Sequence, residues 1–251
     1  MKKNQTQIKK YAAVISIFLV AVIVGLFVFF FCIKRSVEQK SKNTMRSNVV
    51  RQSEHLRTIL DIQYDYLNGL AEEIGKTDHL LAKKNMDLIK SITKNTDFGG
   101  TALIEPNGDA HYDSGVIKNL SHRRYFKEVI SGKKTLSDPL DSSISGSTRV
   151  VLGVPVYNSK HKIIGALGGS YDVTALSRML FEDLFNGQGC SMIIAQNGEI
   201  IAFEGDTSYW NLDYRDNFYK YCCKWIIKDK VTVKKIKQDF KEGKENLVTA
   251  D

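Results

Sequence analysis

The stretch SHRRYFKEVISGKKTLSDPLDSSISGSTRVVLGVPVYNSKHKIIGALGGSYD, residues 121–172, decides the fold. Its pattern predicts a short helix at residues 122–130, a polar loop at 136–148, and two apolar strands at 149–157 and 162–171. Ser121 is the expected N-cap of the helix, and Gly132 the residue that stops it. A capped helix followed by two strands joined by a short turn indicates an α+β domain with an antiparallel sheet.

Opposite charges stand at the two ends of this stretch. Basic and aromatic residues come first: His122, Arg123, Arg124, Tyr125 and Phe126. Asp172 closes the last strand. Opposite charges held at two ends of a rigid sheet are suited to a small zwitterion or carboxylate. The alternative is ordinary surface charge, with Asp172 acting as the N-cap of a helix at residues 173–185.

An apolar run near the amino terminus, residues 12–33 (AAVISIFLVAVIVGLFVFFFCI), contains no charge. At ~1.5 Å per residue it is long enough to cross the ~30 Å hydrocarbon core of a bilayer. A cleaved signal peptide is the alternative, but the run is longer than the usual h-region and has no small-residue cleavage site. We therefore predict a single-pass plasma-membrane anchor, with residues 1–11 in the cytoplasm and the carboxyl-terminal portion outside.

Helical periodicity follows the apolar run. Residues 34–75 contain no Pro, and their apolar residues recur at steps of three and four, which predicts a long stalk helix ended by Gly75. A simple coiled coil is the alternative, but the heptads are irregular. A second, shorter helix is expected at residues 80–93.

Two β-hairpins share one turn signature. The segments TALIEPNGDAHY and CSMIIAQNGEIIAF each place Asn-Gly between apolar runs, which favours a tight hairpin turn. Asn107 and Asn197 stand 90 positions apart. This weak internal repeat predicts two similar units in tandem.

Composition excludes several function classes. The formal charge of +8 comes from lysines beside the apolar run and from a carboxyl-terminal part interleaved with acids, so no basic face for nucleic acid is expected. Outside the apolar run, Cys190, Cys222 and Cys223 form neither a disulfide framework nor a zinc motif. No nucleophile elbow or Gly-rich phosphate loop is present, so neither catalysis nor a metal or other cofactor is expected.

The succession FGGTALIEPNGDAHYDSG, RRYFKEVISGKK, SDPLDSSISG, RVVLGVPVYNSKHKIIGALGGSYDVTAL and QGCSMIIAQNGEIIA resembles the double-Cache (dCache) extracytoplasmic sensor domain of bacterial transmembrane receptors. The resemblance spans residues 37–248. It implies a stalk helix leading to two tandem PAS-like α/β units with antiparallel sheets: a membrane-distal unit at residues 76–185 that binds the ligand, and an incomplete membrane-proximal unit at residues 186–251.

The same resemblance implies the site residues. In the amino-acid-binding version of the family, an Arg and an aromatic pair hold the ligand carboxylate and a later Asp takes its amine; the matching residues are Arg123, Tyr125, Phe126 and Asp172. Tyr125 replaces the usual Trp, and Leu140 and Ser142 stand where the family has Tyr and Asp. The ligand is therefore an amino acid, another amine or a carboxylate. The expected ligand-binding set is Arg123, Tyr125, Phe126, Ser142, Tyr171 and Asp172.

The expected function is the small-molecule sensor portion of a transmembrane signalling receptor, acting as a homodimer at the lipid bilayer. Residues 211–222 (NLDYRDNFYKYC) and 233–248 (VKKIKQDFKEGKENLV) also resemble segments of receptors that carry a GGDEF diguanylate cyclase domain. Because no second spanning run follows, we expect a receptor truncated before its second membrane span and its output domain. The alternatives are a membrane-anchored envelope enzyme and a structural or oligomerising envelope protein.

Overall fold

The protein is described by a computed structural model covering residues 2–141, 148–181, 190–205, 217–221 and 230–244. The helices are α1 Lys2–Gly75, α2 Lys83–Asn95, α3 Arg124–Ile130, α4 Val173–Leu180, α5 Phe218–Tyr221 and α6 Lys230–Glu242. The strands are β1 Gly100–Ile104, β2 Asp109–Tyr112, β3 Ile117–Asn119, β4 Thr135–Leu136, β5 Leu140–Asp141, β6 Thr148–Tyr157, β7 Ile163–Asp172, β8 Cys190–Ile194 and β9 Ile200–Gly205. The chain divides into two compact units, Met1–Glu54 and His55–Asp251.

The first unit consists of the amino-terminal part of helix α1. Within the described residues, α1 is the one helix long and apolar enough to cross a membrane by length and composition. The large apolar side chains from Ile15 to Ile33 are exposed. Such a continuous apolar surface is unfavourable in water, and hydrocarbon would solvate it.

A seven-stranded antiparallel sheet forms the centre of the second unit. Its strand order is β3-β2-β1-β7-β6-β4, and β5 also pairs with β6. Strands β6 and β7 form the longest ladder, from Arg149 opposite Asp172 to Tyr157 opposite Ile163. The two long strands predicted from the sequence are confirmed within one residue at each end. Residues 158–161 form the turn between them, in which the Asn158 side chain accepts hydrogen bonds from the backbone N–H groups of Lys160 and Lys162.

The two faces of the sheet pack against different helices because side chains alternate along each strand. On one face Leu103, Leu152 and Leu167 are fully buried in a cluster with residues of α1 and α2. The contributing residues of α1 recur at helical spacing: Tyr64, Leu67, Ala71 and Ile74. On the other face Ala102, Ile104 and Ala166 pack with residues of α3. The fold is thus α+β, as predicted, with the carboxyl-terminal part of α1 packed in the core.

The end of α1 is held by side chains of the following segment. Asn85 is buried, and its amide Nδ2 lies within hydrogen-bond distance of the carbonyl oxygens of Ile74 and Leu80. Glu73 accepts hydrogen bonds from Lys76 and Lys84, each at 2.8 Å. These contacts fix where α1 stops and α2 begins, because the last carbonyls of a helix have no partner within the helix itself.

The predicted hairpins are present, and their turns share hydrogen bonds. Gly108 and Gly198 have φ of 94° and 90°, a conformation that glycine adopts without steric cost. The amide of Asn119 donates to the carbonyl of Asn107 at 3.3 Å, and the amide of Asn217 does the same to the carbonyl of Asn197 at 2.9 Å. The two hairpins therefore share a second feature besides Asn-Gly: the side-chain amide of a later Asn donates a hydrogen bond to each turn.

Helix α4 connects the large sheet to the second hairpin. The Ser177 hydroxyl is buried, donates to the carbonyl of Val173 at 2.9 Å and accepts the N–H of Phe203 at 3.2 Å. Ile201 and Ala202 of β9 join the same core cluster as β6 and β7. The predicted helix at 173–185 is observed as α4, while 182–189 lie outside the described residues.

Gly169 provides a test of the core. A Cβ built at this position would lie 2.5 Å from the Phe98 ring, which packs against Tyr171 at 4.7 Å between ring centroids. We expect Gly169→Ala to reduce the free energy of unfolding by about 1–3 kcal/mol. Gly69→Ala is the control, because nothing lies within 4 Å of a Cβ there, and a helical Ala should stabilise by about 0.5–1 kcal/mol. Urea unfolding followed by near-ultraviolet circular dichroism distinguishes these opposite signs.

Acid should weaken the junction of α1 and α2. The hydrogen bonds from Lys76 and Lys84 lower the pKa of Glu73 from 4.5 to about 2, while the unfolded chain binds this proton near 4.5. The unfolded state therefore holds more protons between these values, and stability falls as the pH drops through this window. We expect Glu73→Gln to lose less thermal stability than the parent chain between pH 5 and 3, with a small difference because the pairs are exposed. Asp65→Asn on the same helix is the control, and identical acid profiles for Glu73→Gln and the parent would contradict the assignment.

Candidate functional site

A cavity of about 240 Å³ lies on the face of the large sheet that carries α3. The sheet supplies its floor, the start of α3 its roof, and the turn after β2 and strand β5 its sides. The lining residues are Gly99, Gly100, Thr101, Ala102, Ile104, Tyr112, Asp113, Ser114, Leu120, Arg123, Tyr125, Leu140, Asp141, Arg149, Val151, Gly168 and Ser170.

Small residues create this space. Gly100, Ala102 and Gly168 share the cavity face at the centre of the sheet, where Ala102 is the ladder partner of Gly168. Larger side chains at these positions would fill the volume above the strands, as Leu103 and Leu167 do on the opposite face. The floor is therefore a patch of bare backbone between walls that carry long polar side chains.

The start of α3 differs from the prediction, and the difference brings Arg123 to the cavity. Ser121 does not cap the helix, because its N–H and hydroxyl both donate to Asn119 Oδ1, at 3.1 and 2.6 Å. Residues 121–122 form a turn instead, and Arg123, with φ −74° and ψ 135°, is the N-cap residue. Because Arg123 has an extended backbone, both it and Tyr125 reach the same cavity despite their spacing. Gly132 ends the helix segment with φ 93°, as predicted.

Tyr125 and Phe126 are both buried but lie in different surroundings. Tyr125 lines the cavity, whereas Phe126 packs in the cluster between α3 and the sheet and does not line the cavity. Burial raises the pKa of the Tyr125 hydroxyl, an effect opposed in part by the positive charge of Arg123. Tyr125 therefore presents a protonated hydroxyl at neutral pH.

Most of the lining residues are outside the predicted set, and two of them, Arg149 and Tyr112, carry long polar side chains into the cavity wall. Nη1 of Arg149 donates to the carbonyl of Gly99 at 2.5 Å and to Ser170 Oγ at 3.2 Å, which holds the guanidinium over the end of the sheet. A Cβ at Gly99 would come within 2.8 Å of this Nη1. The sequence signal that could have identified Arg149 is its position two residues before Val151 in a strand, because side chains two residues apart lie on the same face of the sheet. Tyr112 carried no such signal, because only the pairing of β2 with β1 brings it to the cavity.

Donors without protein partners converge on the cavity. Among the residues that the structure describes, no hydrogen bond or ion pair is seen for the Arg123 guanidinium, the Tyr112 hydroxyl or the Tyr125 hydroxyl. Burial also raises the pKa of Tyr112, against the opposing charges of Arg123 and Arg149. A guanidinium and two protonated hydroxyls form a set of donors suited to an anionic oxygen, above all a carboxylate.

The other predicted residues lie elsewhere. Asp172 is not among the lining residues; its Oδ1 accepts the N–H of Ala175 at 3.3 Å, at the start of α4, and Arg149 is its ladder partner. Tyr171 points to the opposite face, where its hydroxyl donates to Gln63 Oε1 at 2.8 Å. Ser142 lies outside the described residues. The cavity thus brings together Arg123 and Tyr125 from the predicted set, and the roles of the others stay predictions.

Two carboxylates stand at the cavity wall. Asp113 Oδ1 accepts the N–H of Ser114 at 2.9 Å, and Asp141 at the end of β5 is exposed. In the described part of the chain, no three His, Cys, Asp or Glu side chains are close enough to hold one metal ion. The arrangement is that of a polar binding cavity lined by two guanidinium groups and two carboxylates.

Comparison with solved structures identifies folds similar to this one. No protein-family model matches the sequence, and no curated protein matches it. The sensory domain of the Campylobacter jejuni chemoreceptor Tlp3 with isoleucine bound aligns with a TM-score of 0.51 at 12% identity, over 65% of this chain and 71% of that one. The ligand-binding domain of the Pseudomonas fluorescens chemoreceptor CtaA with L-alanine aligns at 0.52 and 17% identity, over 64% and 70%.

An extracellular ligand-binding receptor from Desulfohalobium retbaense aligns with a TM-score of 0.56 at 12% identity, over 70% of this chain and 33% of that one. The chain therefore spans about a third of that receptor structure. At these identities the likeness establishes the fold: a mixed helix and antiparallel-sheet domain of the PAS-like type found in sensory domains.

Substitutions at the neighbouring aromatics should separate core from cavity. Phe126→Ala should reduce the free energy of unfolding by about 3–5 kcal/mol, because it empties a well-packed site. Tyr125→Phe should change it by less than about 0.5 kcal/mol, since it keeps the ring and removes a hydroxyl for which the described residues show no partner. Urea unfolding measures both, and a large loss for Tyr125→Phe would show that the hydroxyl is structural.

Proposed function

We propose that the second unit is the small-molecule-binding domain of a sensor in a single-pass membrane receptor, and that its ligand occupies the cavity beneath α3. Within it, residues 76–185 form the ligand-binding subdomain, and residues 186–251 form a membrane-proximal subdomain. The protein binds a ligand and transmits its presence, with no chemical step in this chain.

The observation that carries the proposal is the set of donors for which no protein partner is seen among the described residues. Arg123, Tyr112 and Tyr125 surround a cavity whose floor is bare backbone. A guanidinium forms charge-assisted hydrogen bonds with a carboxylate, and these are stronger than neutral hydrogen bonds. Within the part of the chain that the structure describes, these donors are therefore available to a ligand carboxylate.

The cavity chemistry favours binding over catalysis. Ser170, a hydroxyl at the floor, donates to the carbonyl of Gly100 at 3.1 Å and accepts from Arg149. Neither partner is a base that could activate a nucleophile. His111 pairs with Glu105 at 2.9 Å and does not line the cavity. The fold shared with ligand-binding domains of chemoreceptors supports the same conclusion.

Membrane attachment is part of the proposal. Its support is the exposed apolar surface of α1 between Ile15 and Ile33, which a bilayer would cover. We place residues 1–11 in the cytoplasm and the folded domain outside, since long folded segments translocate regardless of local charge. A homodimer would then pass the signal on. The resemblance of residues 211–222 and 233–248 to segments of GGDEF receptors supports a diguanylate cyclase as the output of the whole receptor.

The strand β7 offers a route from ligand to helix. Ser170 lines the cavity, and the next residue, Tyr171, bonds Gln63 of α1 through its hydroxyl. Because adjacent residues of a strand point to opposite faces, a shift of β7 on ligand binding would reach α1 directly. Such a shift is driven only by the difference in ligand affinity between the two arrangements.

A ligand screen on the full chain in detergent tests this function. We expect at least one small carboxylate in a panel of amino acids, organic acids and amines to raise the thermal unfolding temperature. Arg123→Gln should weaken binding of that compound about 10- to 100-fold by isothermal titration calorimetry, because a charge-assisted contact is lost. Arg124→Gln is the matched control, since Arg124 pairs with Glu128 and does not line the cavity.

Two results would contradict the proposal. One is a panel in which no compound shifts the unfolding temperature. The other is a bound compound whose affinity is the same in the parent chain and in Arg123→Gln.

A further inference from the structure

One face of α1 is polar immediately beyond the apolar run. A shallow groove along this face is lined by Cys32, Arg35, Ser36, Gln39, Lys40, Asn43, Thr44 and Ser47. These residues recur at steps of three and four, so they form one stripe along the helix. The cations of the stripe are Arg35 and Lys40, and no Asp or Glu is among the described residues that line it. The groove is therefore a cationic surface with additional hydrogen-bonding groups.

Acidic charge in this segment lies on a different face of α1. The Glu38 carboxylate pairs with Lys34 Nζ at 3.9 Å, and neither residue lines the groove. Among the described residues, no hydrogen bond or ion pair is seen for the charged groups of Arg35 and Lys40. The groove face therefore carries net positive charge, whereas Lys34 and Glu38 offset each other on the neighbouring face.

The position of the groove along α1 corresponds to the level of lipid headgroups. Helix α1 is continuous through this segment, and the apolar run ends at Ile33. At ~1.5 Å per residue, Arg35 lies about 3 Å and Lys40 about 10 Å beyond Ile33 along the helix axis. The headgroup layer on each side of a bilayer is roughly 5–8 Å thick. The long side chains of both residues can therefore reach the headgroups of the leaflet from which α1 emerges.

A second copy of the chain fits this groove less well. In a parallel dimer with two-fold symmetry, the same surface of each helix forms the contact, and residues at the contact lie level with their own copies. Arg35 and Lys40 would then each oppose a like charge, which is unfavourable. An anionic headgroup instead attracts both cations, and its phosphate suits the planar fork of donors that Arg presents.

We propose that this face of α1 binds the headgroup of an anionic phospholipid. Arg35 and Lys40 hold the phosphate, and the side chains of Ser36 and Gln39 supply hydrogen bonds to the rest of the headgroup. This inference rests on the proposed membrane attachment and is independent of the ligand cavity under α3. A basic side chain close to an anionic membrane surface strengthens binding about fivefold, so two such residues give a clear lipid preference.

Two lipids with the same acyl chains test the proposal. The full chain in detergent is titrated with phosphatidylglycerol or with phosphatidylcholine, and native mass spectrometry gives the dissociation constant of the first bound lipid. Phosphatidylcholine is the neutral reference, because its choline cation cancels the charge of the phosphate. We expect phosphatidylglycerol to bind about 5- to 25-fold more tightly than phosphatidylcholine.

Variants distinguish a site on one face from diffuse attraction. Arg35→Gln and Lys40→Gln should each lower the preference for phosphatidylglycerol about fivefold. Lys34→Gln is the matched control, because it removes the same charge at nearly the same depth from the face that carries Glu38, and it should keep most of the preference. All three positions are exposed, so the substitutions should leave folding unchanged.

Cysteine oxidation tests for a second copy of the chain in the groove. Cys32 lies at the membrane end of the groove and is exposed. In nanodiscs that contain phosphatidylglycerol, oxidation followed by peptide mapping should give little disulfide between the Cys32 residues of two copies. Abundant disulfide at Cys32 that phosphatidylglycerol does not suppress would assign the groove to a second copy and overturn the lipid site.

Flotation of the full chain with vesicles of phosphatidylcholine alone separates the lipid site from the membrane attachment on which it rests. A chain that does not float with these vesicles would overturn both. A chain that floats but binds the two lipids equally would overturn the lipid site alone. The same holds if Lys34→Gln lowers the preference as much as Arg35→Gln does.

Discussion

The ladder between β6 and β7 is the constraint on which the rest of the second unit depends. It runs from Arg149 opposite Asp172 to Tyr157 opposite Ile163, and it sets which side chains face which layer. A shift of one residue would exchange every inward and outward side chain. In the observed register Leu152 and Leu167 face α1 and α2, while Arg149, Ser170 and Gly168 face the cavity. One backbone pairing therefore separates a hydrophobic core from a polar binding site a strand's thickness away.

Two compositional features of the sheet serve opposite purposes on its two faces. The face towards α1 is filled with large aliphatic side chains, which provide the burial that stabilises the domain. The face towards α3 is left open by glycine and alanine, and the space is bordered by arginines and tyrosines. Stability and recognition thus come from the same strands. The donors of Arg123, Tyr112 and Tyr125, for which no protein partner is seen in the described residues, border this space.

The repeated hairpin turn shows how much of the architecture short-range sequence can specify. Asn-Gly predicted both hairpins because the turn needs a residue that tolerates positive φ. What the local pattern could not predict was the clamp, since Asn119 and Asn217 stand well after the turns they hold. The same Asn119 takes the N–H and hydroxyl of Ser121, and this removes the expected N-cap from α3. This contact between residues two apart competes with the capping role of Ser121, and α3 begins after Arg123, which reaches the cavity.

By itself, the sequence determined the α+β class, the apolar helix, the two long strands and both hairpins. These follow from local rules: hydrophobic period and turn residues. Arg123 and Tyr125 were expected at the site from the resemblance to sensor domains, and the structure places both at the cavity. Only the tertiary structure decided that Phe126 belongs to the core, that Tyr171 faces α1, and that Tyr112 and Arg149 stand beside Arg123. The physical reason is strand pairing: which residues share a face depends on the register between segments far apart in the chain, and no local pattern carries that information.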